Sequence, residues 1–145
     1  MALEAIPPFA NTAMDGFALR SSDVGEPPAT LRIIETIAAG HSPKMLVNEG
    51  EASRIMTGAP IPDGANAIVM VEQTEVDGDE VTVNISVPVG NHIRPVGDDV
   101  SKGELVFEEG TILTPGHLGV LSSLGFVEVI VFPRPRVGVI STGDE

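Results

Sequence analysis

The chain has 145 residues, 42% of them hydrophobic and 20% charged, the balance of a folded soluble protein and not of a disordered one. Its formal net charge of −13 opposes general attraction to nucleic acid or to an anionic membrane, and an aromatic share of 3%, without Trp or Tyr, leaves little for stacking on bases. The absence of cysteine excludes disulfides and thiolate metal sites, and no apolar run reaches the ~18 residues of a membrane helix, so the expected location is the cytoplasm.

Residues 1–9, ending in Ile6-Pro-Pro-Phe9, are too short and too proline-rich to fold alone and read as an arm that either enters from a preceding segment or docks on another element. Residues 17–24 suit a strand followed by a turn capped by Ser21 or Ser22. Residues 30–37, rich in Ile and Thr, suit a second strand, and residues 51–56 a third that runs into the proline- and glycine-locked segment Thr57-Gly-Ala-Pro-Ile-Pro62. Residues 67–76 and 80–87 flank Asp77-Gly78 and predict a long β-hairpin, because Val81, Val83, Ile85 and Val87 alternate with polar residues. Short strands are expected at 105–107 and 111–113. Thr114-Pro115 then caps a helix that carries Leu118, Leu121 and Leu124 on one side and stops at Gly125. Residues 127–132 and 137–141 are expected as strands, the last so apolar that it calls for cover from a further domain. The fold class that results is α+β, predominantly β, with several short strands, a long hairpin and one helix near residues 115–124. The expected organisation is a β-rich subdomain over 1–96, a small linking subdomain over 97–134, with residues 1–10 packing on it, and the first strand of another domain over 135–145.

Acids at glycine corners mark the candidate chemistry. Asp15 stands before Gly16 in Asn11-Thr-Ala-Met-Asp-Gly-Phe-Ala18, Asp98 and Asp99 follow Gly97, and Asp144 and Glu145 follow Gly143. An isolated Asp-Gly is an ordinary turn, and most acids of so acidic a chain are surface solvation. Converging on a cleft, however, carboxylates suit a hard cation such as Mg²⁺, which can bridge to a phosphate. With eight basic residues in all, the donors for an anion are few, and Arg54 and Arg94 both lie in distinctive stretches. On a strand His92 and Arg94 share a face. His41, His92 and His117 are not spaced as a zinc set, and neither a phosphate-binding Walker loop nor a Gly-x-Ser-x-Gly elbow is present.

Taken in order, Asn11-Thr-Ala-Met-Asp-Gly-Phe-Ala18, Arg54-Ile-Met-Thr-Gly-Ala-Pro-Ile-Pro62 with Ala67-Ile-Val-Met70 and Glu72, Asn91-His-Ile-Arg-Pro-Val-Gly-Asp-Asp99, and Pro135-Arg-Val-Gly-Val-Ile-Ser-Thr-Gly-Asp-Glu145 resemble the molybdenum insertase family. These are the molybdopterin molybdenumtransferases of the MoeA type, which include the E domain of gephyrin. The resemblance covers essentially the whole chain. It implies a parent enzyme that inserts molybdate into adenylated molybdopterin with Mg²⁺, releasing AMP, downstream of a molybdopterin adenylyltransferase. It also implies an elongated homodimer whose clefts combine this region of one subunit with later domains of the other, so that the isolated piece is inactive.

The same resemblance makes Asp15, Thr57, Arg94, Asp99 and Glu145 functionally important: Asp15, Thr57, Asp99 and Glu145 are the expected catalytic residues, Arg94 and Thr57, with Arg54 from its place among the few basic residues, the expected substrate-binding ones, and Asp99 and Glu145 the expected Mg²⁺ ligands. Two departures stand out: Pro95-Val96, where some members are more basic, and Asp98, where Glu is common. The alternative reading is a gephyrin-like scaffold module without catalysis of its own. For the enzyme, the expectation is that Asp15, Thr57 and Arg94 share one opening.

Overall fold

A computed structural model describes residues 1–143. Most of its regular secondary structure is β: β1 (Asn11–Thr12), β2 (Gly16–Leu19), β3 (Ala29–Ile37), β4 (Glu51–Ile55), β5 (Ala67–Met70), β6 (Thr74–Asp77), β7 (Glu80–Val83) and β8 (Ile93–Arg94), with one α-helix among the described residues, α1 (Pro115–Ser123). Six strands form one sheet in the order β5-β2-β4-β3-β7-β6, and β1 pairs with β8 in a small ladder of its own. The pairing is antiparallel except between β3 and β4, which run parallel and are joined by the long excursion through residues 38–50.

β2 is the strand on which the rest depends. All four of its residues are buried, and its two faces feed two different clusters. Phe17 and Leu19 pack with Val24, Leu31, Ala52, Val69, Val81 and Val83 on one side. On the other side Ala18 joins Ile37, Ile55, Ala59 and Ile68. Full burial of side chains the size of Phe17 and Leu19 contributes about 2–3 kcal/mol each. Gly16 opens the strand because nothing larger fits: a Cβ there would lie 2.0 Å from the Val69 carbonyl oxygen of β5.

Several expectations meet the structure directly. The arm docks on residues 97–104: the Ala2 amide donates to Glu104 O at 2.8 Å, and the amides of Asp99 and Val100 donate to Ile6 O at 2.9 and 3.1 Å. The hairpin turns at Asp77-Gly78 as the alternation predicts, with Val81 and Val83 buried, but it is shorter than expected. A 3-10 turn at Val71–Gln73 splits residues 67–76, sending the first half to β2 as β5 and leaving only β6 for β7. Residues 84–87 are not strand; Ile85 and Val87 pack on the core from irregular backbone. The 3-10 turn at Ser21–Val24 is entered from Arg20, with neither serine acting as its cap.

The described residues divide into two compact units, Met1–Thr111 and the part from Ile112 onward. In the second, α1 begins as its sequence dictates. Thr114 is the N-cap, Pro115 follows it, and the Thr114 amide donates to His117 Nδ1 at 3.1 Å. It ends at Gly125, whose φ of +81° lets its amide reach Ser122 O and the Phe126 amide reach Leu121 O, both at 3.0 Å. Leu124 is buried, whereas Leu118 is exposed. No strand forms at 105–107, 111–113, 127–132 or 137–141. An extended apolar segment becomes a strand only when a neighbour takes a run of its ladder bonds, which apolar composition alone does not secure.

Candidate active site

Asp15 leaves β1 by a two-residue turn and enters the buried strand β2, so backbone constraint on both sides fixes its carboxylate. Its own carbonyl oxygen accepts from the Val71 amide at 3.2 Å. The carboxylate reaches a residue 42 positions away: Oδ1 accepts both the Thr57 amide and the Thr57 hydroxyl, each at 2.7 Å. Thr57 can offer both because it tops β4 in a tight loop, where the Met56 amide is tied to Ile37 O at 3.0 Å and Gly58 turns the chain with a φ of +81°. The Thr57 amide, and after it the Thr57 hydroxyl, hold the Asp15 carboxyl below the usual aspartate range against some desolvation, with a smaller contribution from the charge of Arg54. Asp15 is therefore an ionised acceptor at neutral pH. Among the described residues its second oxygen, Oδ2, has no hydrogen-bond partner.

Arg94 forms the second cluster. Its Nη2 donates to Asp99 Oδ2 at 2.7 Å and its Nε to Asp98 Oδ2 at 3.4 Å. These bonds, that to Asp99 foremost, raise the pKa of its guanidinium above the ordinary arginine value. With one positive charge between two negative ones, the cluster is net anionic, and an anion approaching Arg94 competes with Asp99 for it.

β1 links the clusters. Asn11 pairs with Arg94 and Thr12 with Ile93, while the Thr12 backbone bonds the loop that carries Thr57: its amide donates to Ala59 O at 3.1 Å and its carbonyl accepts the Gly58 amide at 2.9 Å. The structure thus joins Asp15 to Thr57 by direct contact and Arg94 to Asp98 and Asp99, with one short strand between the two groups. Arg54 lies on β4 opposite Phe17, exposed, and acts on Asp15 only through its charge. His92 does not share a strand face with Arg94; its φ of 53° puts it in a turn, and its carbonyl oxygen accepts from the Ala13 amide at 3.1 Å. Asp144 and Glu145 lie outside the described residues.

A family model described as the MoeA N-terminal region (domain I and II) matches residues 1–125. The chain belongs to this family. Molybdopterin molybdenumtransferase 2 of Mycobacterium tuberculosis is 44% identical to it over 145 residues, covering 97% of this chain and 36% of that protein. Molybdopterin molybdenumtransferase of Haemophilus influenzae is 43% identical over 141 residues, covering 97% of this chain and 35% of that protein. The crystal structure of the molybdopterin biosynthesis moeA protein from Pyrococcus horikoshii OT3 matches with a TM-score of 0.83 and 40% identity over 86% of this chain and 34% of that one. The chain spans about a third of the length of the curated relatives it matches.

Within this MoeA region, no group of three or more acids and histidines among the described residues stands in a metal-binding arrangement, and Asp98 and Asp99 are both turned onto Arg94. Sequence reasoning passed over two residues that hold the MoeA motifs in place. Thr12 closes a small hydroxyl turn onto Met14, a habit of threonine that its position three before Asp15 could have suggested. Asn91 covers the edge of β5: its side-chain amide donates to Ile68 O at 2.7 Å and its carbonyl accepts the Ile68 amide at 2.9 Å. No local pattern in the sequence announces that contact.

Proposed function

We propose that this chain supplies one wall of the active-site cleft of a molybdenum insertase, a cytoplasmic homodimer in molybdenum cofactor biosynthesis that inserts molybdate into adenylated molybdopterin with Mg²⁺ and releases AMP. The reading rests on one observation above the others: Asp15 and Thr57, drawn from two separate MoeA motifs, meet so that one carboxylate oxygen takes both Thr57 donors and the other points to no protein group among the described residues. A carboxylate held ionised in this way is a weak base but a strong acceptor, suited to orienting an N–H or O–H of the pterin substrate. Thr57 sets its direction, and Arg54 adds positive charge beside it. Arg94 is the donor for an oxyanion or phosphate once its contact with Asp99 opens. On this reading Asp99 and Glu145 are the acids that would hold Mg²⁺, with waters and substrate oxygens completing its shell. Residues 135–145 would begin the next domain, which together with the partner subunit completes the cleft.

The test is Asp15→Asn in the full-length parent. Cofactor formation from adenylated molybdopterin and molybdate should fall by about a hundredfold or more with the fold intact. Undiminished synthesis would leave the scaffold reading in its place. The 145-residue chain alone, given the same substrates, should form no cofactor.

A further inference from the structure

We propose that Thr12 is a positioning residue for the Asp15 carboxylate, acting through its hydroxyl and not through the volume it fills. Thr12 is buried, at 1% exposure, and every polar group it has is spent on one of the two segments that meet at Asp15. Its Oγ1 donates to Met14 O at 2.6 Å and accepts the Met14 amide at 3.1 Å, which pins both backbone groups of the residue immediately before Asp15. Its backbone amide donates to Ala59 O and its carbonyl accepts the Gly58 amide, which pins the residues immediately after Thr57. The hydroxyl therefore sets the turn through residues 13–14, and the backbone sets the loop that Asp15 must face. Without the hydroxyl, both Met14 groups lose their partner at a half-exposed position, water takes them, and the turn is free to open. The carboxylate then drifts from the Thr57 donors although β1 keeps its pairing with β8 and β2 its pairing with β4 and β5.

This inference rests on the reading of Asp15 as a site residue, but its test is read on the carboxylate itself and needs no turnover. Thr12→Val keeps the shape and removes the hydroxyl, and Thr12→Ser keeps the hydroxyl and removes the methyl. Carbon-detected NMR titration of Asp15 in the 145-residue chain, with hydrogen exchange at the Thr57 amide, gives two readouts. In Thr12→Val the Asp15 pKa should rise toward the ordinary aspartate value, and the Thr57 amide should exchange roughly tenfold faster, as loss of its acceptor requires. In Thr12→Ser both should stay as in the unaltered chain. Glu51, which Arg32 and Asn48 hold below the usual glutamate range, is the internal control and should not move in either variant.

Unchanged readouts in Thr12→Val would overturn the proposal, and so would a Thr12→Ser variant that behaves like Thr12→Val, because the methyl would then be the part that matters. A Thr12→Val chain that fails to fold also counts against it, since the hydroxyl would then serve the whole fold. Failure of the functional reading has a different signature: the Asp15 pKa responds to Thr12→Val, yet Asp15→Asn leaves cofactor synthesis intact in the full-length parent.

Discussion

The two acid sites of the first unit are built in opposite ways. Asp15 is held by neutral donors delivered across 42 residues of sequence, and it adjoins a strand buried on both faces. Arg94 is held by charges four and five residues along its own loop, attached to the fold by a ladder of two residues per strand. Dipoles fixed by a sheet hold an acid in its ionised form with little sensitivity to salt, whereas exposed ion pairs are screened and rearrange readily. The first site suits orientation, and the second suits a response to an arriving ion.

The most severe way to break the contrast is Gly16→Ala. The added Cβ would meet the Val69 carbonyl, so the strand pair must part, at a cost of about 3 kcal/mol or more in a urea unfolding titration. The Asp15 contact should fail with it, while the bond between Arg94 and Asp99, followed through the Arg94 Nε–H resonance, survives in the folded fraction. Thr57→Val sharpens the comparison by removing one donor. The depressed folded pKa of Asp15 gives stability that is present above the ordinary aspartate value and lost as pH falls through the folded one. The deficit of Thr57→Val relative to the unaltered chain should therefore be full at neutral pH and vanish in strong acid, as read from unfolding midpoints. Gly58→Ala is milder. Its φ of +81° disfavours any side chain, but a Cβ there meets nothing within 4 Å, so about 1–2 kcal/mol is expected in the same assay. Smallest of all, Asp99→Asn should shift the melting temperature by at most roughly 3 °C in dilute buffer and by nothing measurable in molar salt.

What could be read from the sequence follows the range of the forces involved. The turn at Asp77-Gly78, the alternation of Val81 and Val83 and the Thr114, Pro115 and Gly125 punctuation of α1 are local, and all were legible. So was the mainly β fold with its single helix. Illegible were the parallel pairing of β3 with β4, the split of residues 67–76, and the turn at His92, each decided by partners far along the chain. At the site, composition and motif singled out Asp15 and Thr57 separately. That Thr57 gives both of its donors to a single oxygen of Asp15 depends on β2 lying beside β4, which no periodicity in either strand reveals.

The crossing of β1 between two loops also sets where the molecule tolerates a change of length. The hairpin tip at residues 78–79 is exposed and binds nothing in the site, so extra residues there cost slowly growing loop entropy and at most the bond from the Ile33 amide to Asp79 O. A single residue inserted between Thr12 and Asp15 would displace the carboxylate by up to about 3.5 Å, more than the length of either bond it makes to Thr57. The short strand thus works as a gauge block, and related chains or engineered ones can vary freely at the hairpin while the spacing from Asn11 to Gly16 stays the same.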